Sequence, residues 1–195
     1  MRLLLIGAPG AGKGTQADRI AAHFGVVHIS SGDLLRKHVA DGTAIGRAAK
    51  EYMDRGELVP NTLVLDMLRK PVVAAANSGG YVLDGFPRTV EQAEEAYGVA
   101  KELGVAVQLA ILLDVKREEL IQRLLARGKT SGRSDDNAET IERRQQVYEE
   151  QTEPLLEYYR GRERLVVVNG DRPVDEVTWS VIVQVQRAFK QLAET

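Results

Sequence analysis

The stretch Gly7-Ala8-Pro9-Gly10-Ala11-Gly12-Lys13-Gly14-Thr15 predicts a phosphate-binding loop near the start of the chain. The apolar run at residues 3–6 before it is typical of a strand buried in a parallel sheet, and residues 16–24 after it have a helical pattern. Glycines let such a loop bend and bring its amide groups close to an anion, which the following helix N-terminus also attracts. Lys13 can reach a terminal phosphoryl group, and Thr15 offers a hydroxyl one position later than the general phosphate-loop pattern. The stretch therefore favours a nucleoside triphosphate ligand over a plain glycine-rich turn.

The composition narrows the class of protein. The chain has 195 residues, enough for one substantial core, and a formal net charge of −2, which argues against a nucleic-acid partner. It contains no cysteine, so neither a disulfide nor a thiolate zinc site can form. Its longest apolar stretch, residues 105–113, is too short to cross a membrane and includes Gln108. We therefore expect a soluble cytoplasmic protein without nucleic-acid or membrane partners, and a monomer by default.

Apolar runs alternate with helical patterns along the whole chain. Strands separated by helices connect through right-handed crossovers, which predicts an α/β protein with a five-stranded parallel sheet and helices on both faces. Pro71 should kink or end one helix near Lys70, and Pro154 should bend another. The predicted strands are residues 3–6, 26–29, 81–83, 105–113 and 165–168, and the predicted helices are residues 16–24, 31–40, 43–55, 62–76, 89–103, 116–126, 138–159 and 174–192.

Polar segments follow two of the predicted strands. Ser30-Ser31-Gly32-Asp33 comes after the second strand, with Arg36 one helical turn later, and Asp84-Gly85-Phe86-Pro87-Arg88 comes after the third. Ligands of open parallel sheets bind at the carboxyl ends of the strands, so both segments should lie near the phosphate loop. Arginine presents a planar fork that matches phosphate oxygens. The two segments therefore predict a second phosphate-bearing ligand.

With these motifs, the chain resembles adenylate kinases with a short lid. The resemblance rests on residues 7–16, Ile29-Ser30-Ser31-Gly32-Asp33-Leu34-Leu35-Arg36, Asp84-Gly85-Phe86-Pro87-Arg88 and Gly132-Arg133-Ser134-Asp135-Asp136-Asn137. It implies a P-loop three-layer fold in a single kinase domain, residues 1–195. The core would be residues 1–29, 60–126 and 138–195, with a helical insertion for the nucleoside monophosphate at residues 30–59 and a lid at residues 127–137.

The same resemblance implies an enzyme that converts ATP and AMP reversibly into two ADP and so balances the adenine nucleotides. One alternative is a UMP/CMP-type nucleoside monophosphate kinase. Another, from a different class, is a P-loop switch that binds and slowly hydrolyses a triphosphate, although the chain lacks the Asn-Lys-x-Asp run that reads guanine. A switch would also leave Arg36, Arg88 and Gln92 unexplained.

Site residues follow from the resemblance as well. Ser31 stands where the family usually has Thr and keeps the hydroxyl, and Gln92 is assigned to adenine because an amide donates and accepts hydrogen bonds at once. Arg172 is assigned to a backbone contact with the ATP base. The residues assigned to AMP are Ser31, Arg36, Glu57, Leu58, Val59, Gly85, Phe86, Pro87, Arg88, Gln92, Arg133 and Arg144; those assigned to ATP are Gly10, Ala11, Gly12, Lys13, Gly14, Thr15, Arg127 and Arg172; those assigned to catalysis are Lys13, Arg88, Arg127, Arg133 and Arg144.

Positive charge around the predicted lid indicates a clamp on the transferred phosphoryl group. Arg123 and Arg127 share a helix face, and Lys129, Arg133 and Arg144 follow them. A solvated basic face is the simpler interpretation of such a run, but the phosphate loop in the same chain favours a clamp. Because like charges near 4 Å repel by about 4 kcal/mol at an effective dielectric of about 20, we expect the lid to close only over ligand.

A magnesium ion should arrive with ATP. Thr15 and water would hold it, with Asp84 orienting its hydration shell, and zinc is not expected because the short lid lacks cysteine. Asp136 and Glu139 predict a capping box at the start of the helix after the lid. The histidines lack metal-ligand spacing and are interpreted as packing or surface residues, and Trp179 as packing the last helix against the core.

Overall fold

The computed structural model describes residues 1–131, 137–162 and 165–194. Its strands are β1 (Arg2–Ile6), β2 (Val27–Ser30), β3 (Tyr81–Asp84), β4 (Leu109–Asp114) and β5 (Leu165–Asn169). They form one parallel sheet in the order β2-β3-β1-β4-β5. The helices are α1 (Lys13–Phe24), α2 (Ser31–Ala40), α3 (Ala44–Asp54), α4 (Asn61–Asn77), α5 (Val90–Glu102), α6 (Arg117–Ser131), α7 (Ala138–Val147), α8 (Leu155–Arg160) and α9 (Val174–Ala193), with a π-helical turn, Tyr148–Thr152, between α7 and α8.

The central strand, β1, explains why the first apolar run is continuous. Leu3 and Leu5 pack into the layer that contains α1 and α9, whereas Leu4 and Ile6 pack into the layer that contains α4, α5 and α8. Burying each such side chain contributes about 1.5–3 kcal/mol. Leu5 pairs with Asp84 of β3, so the phosphate loop begins beside the polar segment that follows β3. The predicted fold class, a parallel sheet with helices on both faces, is confirmed.

Residues 31–59 form an excursion from the sheet, which we call the α2–α3 arm. The hydroxyl of Ser30 caps α2 by accepting from the amide of Asp33 at 3.3 Å, and that of Thr43 caps α3 by accepting from the amide of Gly46 at 3.1 Å. Such caps are worth about 1 kcal/mol each. The two helices pack on each other and bury Leu35 and Ala49. The arm therefore has its own packing and contacts the rest of the molecule near the ends of β2 and β3.

Of the two outcomes predicted at Pro71, a kink or an end of the helix near Lys70, the end does not occur. Helix α4 continues through Pro71 to Asn77. A proline inside a helix removes one hydrogen bond and costs about 3 kcal/mol. Val64, Met67 and Leu68 are buried before Pro71 and Ala75 after it, so packing of both halves offsets that cost.

Other element boundaries also differ from the sequence-based expectation. Strand β4 begins at Leu109 rather than at residue 105, because the Arg2 side chain donates to the carbonyl of Ala106 and the Arg2 amide donates to the side chain of Gln108. Backbone pairing with β1 starts where the amide of Gln108 donates to the carbonyl oxygen of Arg2 at 2.9 Å. The helix predicted over residues 138–159 is divided into α7, the π-helical turn and α8.

The boundaries around the predicted lid shift as well. Helix α6 extends to Ser131, so the first residues of the segment 127–137 are helical. Helix α7 is capped by Asn137, whose side-chain oxygen accepts from the amide of Thr140 at 3.0 Å. The capping box predicted from Asp136, which lies outside the described residues, is therefore wrong by one position.

Helix α9 packs through residues spaced four apart, Val177, Val181 and Val185. Trp179 lies on a different face and is 65% exposed, so the expectation that it packs against the core is wrong. No helix among the described residues combines the length and the apolarity needed to span a bilayer.

Candidate active site

The phosphate loop joins β1 to the N-terminus of α1. Gly10 has a φ of +92°, and a Cβ there would lie 2.7 Å from the carbonyl oxygen of Leu120, so only glycine fits. Gly12 precedes α1 and has no side chain to cap the first amides, which leaves them to an anion. Gln145 of α7, 1% exposed, donates from Nε2 to the carbonyl oxygen of Pro9 at 2.9 Å. Sequence reasoning missed this support because no motif marks Gln145.

Lys13 lies at the centre of the loop. Its Nζ donates to the carbonyl oxygens of Gly7 at 2.7 Å and Ala8 at 3.1 Å. Burial lowers the pKa of Lys13 to about 7; Asp84 opposes this effect, and the cations Arg88, Arg144 and Arg127 add to it. A lysine held among other cations is poised to bind a strongly anionic group.

A cavity between the α2–α3 arm and the segment after β3 gathers most of the residues predicted to bind AMP. We call it the arm pocket. Pro87 lines a neighbouring cavity instead, and Arg133 lies outside the described residues. The predicted residues that line the arm pocket are Ser31, Arg36, Glu57, Leu58, Val59, Gly85, Phe86, Arg88, Gln92 and Arg144.

Ser31 carries an unsatisfied hydroxyl in this pocket. The residue is 1% exposed, and its buried Oγ has no hydrogen-bond partner among the described residues. A Cβ at Gly85, where φ is +80°, would lie 2.5 Å from that oxygen, so glycine leaves room for the hydroxyl. An unsatisfied buried hydroxyl costs about 1–3 kcal/mol, which a polar ligand in the pocket would offset.

The arginines of the arm pocket are held by local contacts. Arg36 forms an ion pair with Asp33, one turn earlier on α2. The Nε of Arg88 donates to the carbonyl oxygen of Gly85 at 2.7 Å. Both side chains are half-buried, so each guanidinium is oriented by the protein and remains at the edge of a cavity that a phosphate could enter.

A second cavity, which we call the loop pocket, adjoins the arm pocket. It is lined by Gly7, Pro9 and Lys13 of the phosphate loop. The volumes are about 70 Å³ for the loop pocket and about 60 Å³ for the arm pocket, far below the roughly 300 Å³ of a typical ligand site. A nucleotide therefore requires side chains or the arm to move outward. Residues that line both pockets are Gly56, Leu58, Gly85, Arg88 and Arg144.

Asp84, the last residue of β3, is linked through a histidine to α1. The Oδ2 atom of Asp84 lies 2.6 Å from Nε2 of His28, whose Nδ1 lies 2.7 Å from Oδ1 of Asp18. Burial alone would lower the pKa of His28, but the hydrogen bonds to Asp84 and Asp18 outweigh it and raise the pKa. The interpretation of His28 as a mere packing or surface residue is therefore wrong. Within the described part of the chain, no cluster of three or more His, Cys, Asp or Glu side chains could hold a metal ion.

The other predicted site residues lie in different places. Thr15 is exposed on the first turn of α1. Arg127, near the end of α6, is close enough to Lys13 to lower its pKa. Arg172 is exposed and lines a separate groove together with Lys116 and Arg123. The structure thus brings together Lys13, Arg88, Arg127 and Arg144 and leaves Arg172 apart.

A parallel sheet with a phosphate loop that faces an arginine-lined pocket defines a P-loop kinase acting on a small phosphate-bearing acceptor. The sequence model of one family, described as adenylate kinase, matches residues 5–164. The adenylate kinase of Bacteroides fragilis is 46% identical over 170 residues, covering 87% of this chain and 90% of the relative. That of Leptospira biflexa is 46% identical over 181 residues, covering 93% and 97%. Adenylate kinase isoenzyme 1 of Cyprinus carpio is 45% identical over 183 residues, covering 93% and 92%.

The chain belongs to the adenylate kinase family. The resemblance seen in its motifs is thereby confirmed, as is its predicted class, an ATP:AMP phosphotransferase that binds nucleotides. The UMP/CMP-type kinase and the nucleotide switch are not favoured by these matches.

Proposed function

We propose that the protein transfers the terminal phosphoryl group of ATP to AMP reversibly, with ATP on the phosphate loop and AMP in the arm pocket. The observation that carries this proposal is the wall common to the two pockets, since Arg88 and Arg144 line both. Two anionic ligands that meet end to end repel each other by several kcal/mol unless cations lie between them. A shared arginine wall supports transfer between two bound nucleotides, and hydrolysis of one nucleotide would not need it.

On the donor side, the amides of residues 10–15 bind the phosphates of ATP. Lys13 exchanges the carbonyl oxygens of Gly7 and Ala8 for phosphate oxygens, which favour its charged form. Arg127 and Arg144 add positive charge where negative charge develops during transfer. Arg172 contributes its backbone to the ATP base.

Mg²⁺ fits the donor site because the hydroxyl of Thr15 and water that Asp84 orients would supply the oxygen ligands that it prefers. Asp84 is buried and close enough to Lys13 to oppose the lowering of the lysine pKa. Asp84 acts on the ion through water, and the hydrogen bond to His28 fixes the orientation of the Asp84 carboxylate. Bound together with ATP, the ion neutralises charge on the phosphates.

On the acceptor side, Arg36 and Arg88 bind the phosphate of AMP. The buried hydroxyl of Ser31 forms a hydrogen bond with AMP, and Gln92 contacts the adenine. The acceptor oxygen of AMP is already anionic, so the reaction needs positioning and charge stabilisation more than a general base.

Water is the competing acceptor, and it must be excluded before transfer. We assign the closing movements to the insertion at residues 30–59 and the lid at residues 127–137, including Arg133, with the remainder as the core. Lid closure over ligand stays a prediction. The protein acts as a cytoplasmic monomer in this proposal.

A coupled assay for ADP tests the function. ATP is supplied with AMP, CMP, UMP or GMP, and we expect AMP to be used far better than the others, with two ADP formed per ATP consumed. Equal ATP loss with and without AMP would favour the nucleotide switch. Preference for CMP or UMP would favour the pyrimidine kinase.

A further inference from the structure

The amide of Gln92 is held at two points. Gln92 lies on the first turn of α5, is 3% exposed and lines the arm pocket. Its Oε1 accepts from the backbone amide of Arg88 at 2.8 Å, and its Nε2 donates to Oδ1 of Asn61 at 2.7 Å. A backbone amide can only donate, so the oxygen of Gln92 must face Arg88, and the nitrogen then faces Asn61.

These contacts use half of the hydrogen-bonding capacity of the side chain. An amide oxygen can accept two bonds and an amide nitrogen can donate two, so Gln92 retains one acceptor and one donor for a ligand. Adenine presents an amino donor beside a ring-nitrogen acceptor. Hypoxanthine and guanine present an oxygen acceptor beside a ring N–H, which is the opposite polarity.

If the amide of Gln92 could rotate by 180° and exchange its oxygen and nitrogen, it could bind both kinds of base. An amide held in one orientation binds only the base with the matching donor and acceptor. The backbone bond from Arg88 is a single point about which the amide of Gln92 could still rotate. Asn61, the first residue of α4, supplies the second point. Asn61 is fixed in turn, because its own N–H groups turned toward Gln92 would oppose the Nε2 donor.

We propose that Asn61 is a positioning residue that fixes the orientation of the Gln92 amide and thereby strengthens the choice of adenine over 6-oxopurine acceptors. The inference rests on the proposed binding of AMP in the arm pocket. Asn61 acts through Gln92.

Two variants separate this role from a structural one. Asn61→Leu keeps a similar size and removes the carbonyl, whereas Asn61→Asp keeps an acceptor for Nε2. The measurements are kcat/KM for AMP, kcat/KM for IMP and the KM for ATP. The base of IMP is hypoxanthine, which presents an oxygen acceptor and a ring N–H where adenine presents an amino donor and a ring-nitrogen acceptor. Because one hydrogen bond is lost, we expect Asn61→Leu to reduce the AMP-to-IMP preference about fivefold through a higher KM for AMP. The KM for ATP and kcat should change little, and Asn61→Asp should remain within about twofold of the parent.

Two results would overturn the inference. One is an unchanged AMP preference in Asn61→Leu, and the other is an equal loss in Asn61→Asp, which would indicate a role in starting α4. If Asn61→Leu unfolds at the assay temperature, Asn61→Ala takes its place under the same criteria. Failure of the proposed function is distinguishable, because the parent protein would then make no ADP from ATP and AMP.

Discussion

In the proposed arrangement, the donor and acceptor sides of the site are built from different parts of the chain. The donor side is mainly backbone: a loop of amides at a helix N-terminus, with a glycine where no other residue fits and Lys13 resting on loop carbonyls. The acceptor side is mainly side chains, such as Ser31, Arg36 and Gln92, and each is oriented by another residue or left unsatisfied.

This difference predicts different responses to mutation. A backbone site recognises what all triphosphates share and fails when the path of the chain changes. A site made of side chains recognises an individual base or hydroxyl and loses its contacts one at a time. The following predictions test that contrast, from the largest expected effect to the smallest.

The largest effect is expected at Lys13. Lys13→Met removes the one side-chain cation that lies within the phosphate loop, so kcat should fall about 1,000-fold. The fold should survive, because Nζ contacts only Gly7 and Ala8 among the described residues. Steady-state ADP formation and circular dichroism measure the two quantities. Lys101→Met on α5 is the control, and a kcat of the Lys13 variant near that of this control would place the terminal phosphate elsewhere.

The second effect tests the backbone path of the donor side. Gly10→Ala places a Cβ 2.7 Å from the carbonyl oxygen of Leu120 at a φ of +92°, which should raise the KM for ATP roughly tenfold or more and lower stability by about 1–3 kcal/mol. The KM for AMP should change less. Urea unfolding and initial-rate kinetics measure these effects.

Gly98→Ala provides the control for this substitution. A Cβ at Gly98 in α5 meets nothing within 4 Å, and alanine is the better helix former by about 1 kcal/mol, so stability should rise. If Gly10→Ala raised the KM values for ATP and AMP equally, the proposed separation of a backbone side from a side-chain side would be wrong.

The third effect tests the acceptor side through Ser31. Ser31→Ala removes a buried hydroxyl that has no partner among the described residues, so stability should stay equal or rise by up to about 1 kcal/mol. The KM for AMP should nevertheless rise about fivefold, because the ligand loses a hydrogen bond. Thermal unfolding and kinetics with varied AMP measure both. Ser31→Thr keeps the hydroxyl and should retain the lower KM; an increase as large as that of Ser31→Ala would contradict the assigned contact.

The smallest effect on catalysis is expected at Tyr81, the first residue of β3. Its hydroxyl donates to the carbonyl oxygen of Val105 at 2.6 Å, and burial raises its pKa to about 12. Since the unfolded chain loses this proton near pH 10, the unfolded state binds fewer protons between about pH 10 and 12, and stability should fall as pH rises through that window.

Tyr81→Phe should cost about 1 kcal/mol at pH 7 and leave both KM values unchanged, since the residue contacts neither nucleotide in the proposed arrangement. Urea unfolding at pH 7, 9 and 11 should show the difference between parent and variant shrinking above pH 10. A difference that stays constant with pH would mean that folding does not raise the pKa of this hydroxyl.

Local patterns in the sequence were sufficient for the fold, and most of the residues that they predicted for AMP line a single cavity. The apolar run before the phosphate loop predicted β1 because burial on both faces requires continuous apolar residues. Features set by distant parts of the chain were not predictable: Gln145 donates a hydrogen bond to Pro9 from far along the chain, and Asn61 accepts one from Gln92, 31 residues later. The helix continues past Pro71 because the local cost of proline is outweighed by packing that only the folded molecule has.

The hydrogen bond from Gln145 to Pro9 also ties α7 to the phosphate loop. Arg144 is the neighbour of Gln145 on α7 and lines both pockets. In the proposed arrangement, one cation of the shared wall therefore lies on a helix that is hydrogen-bonded to the loop that holds ATP.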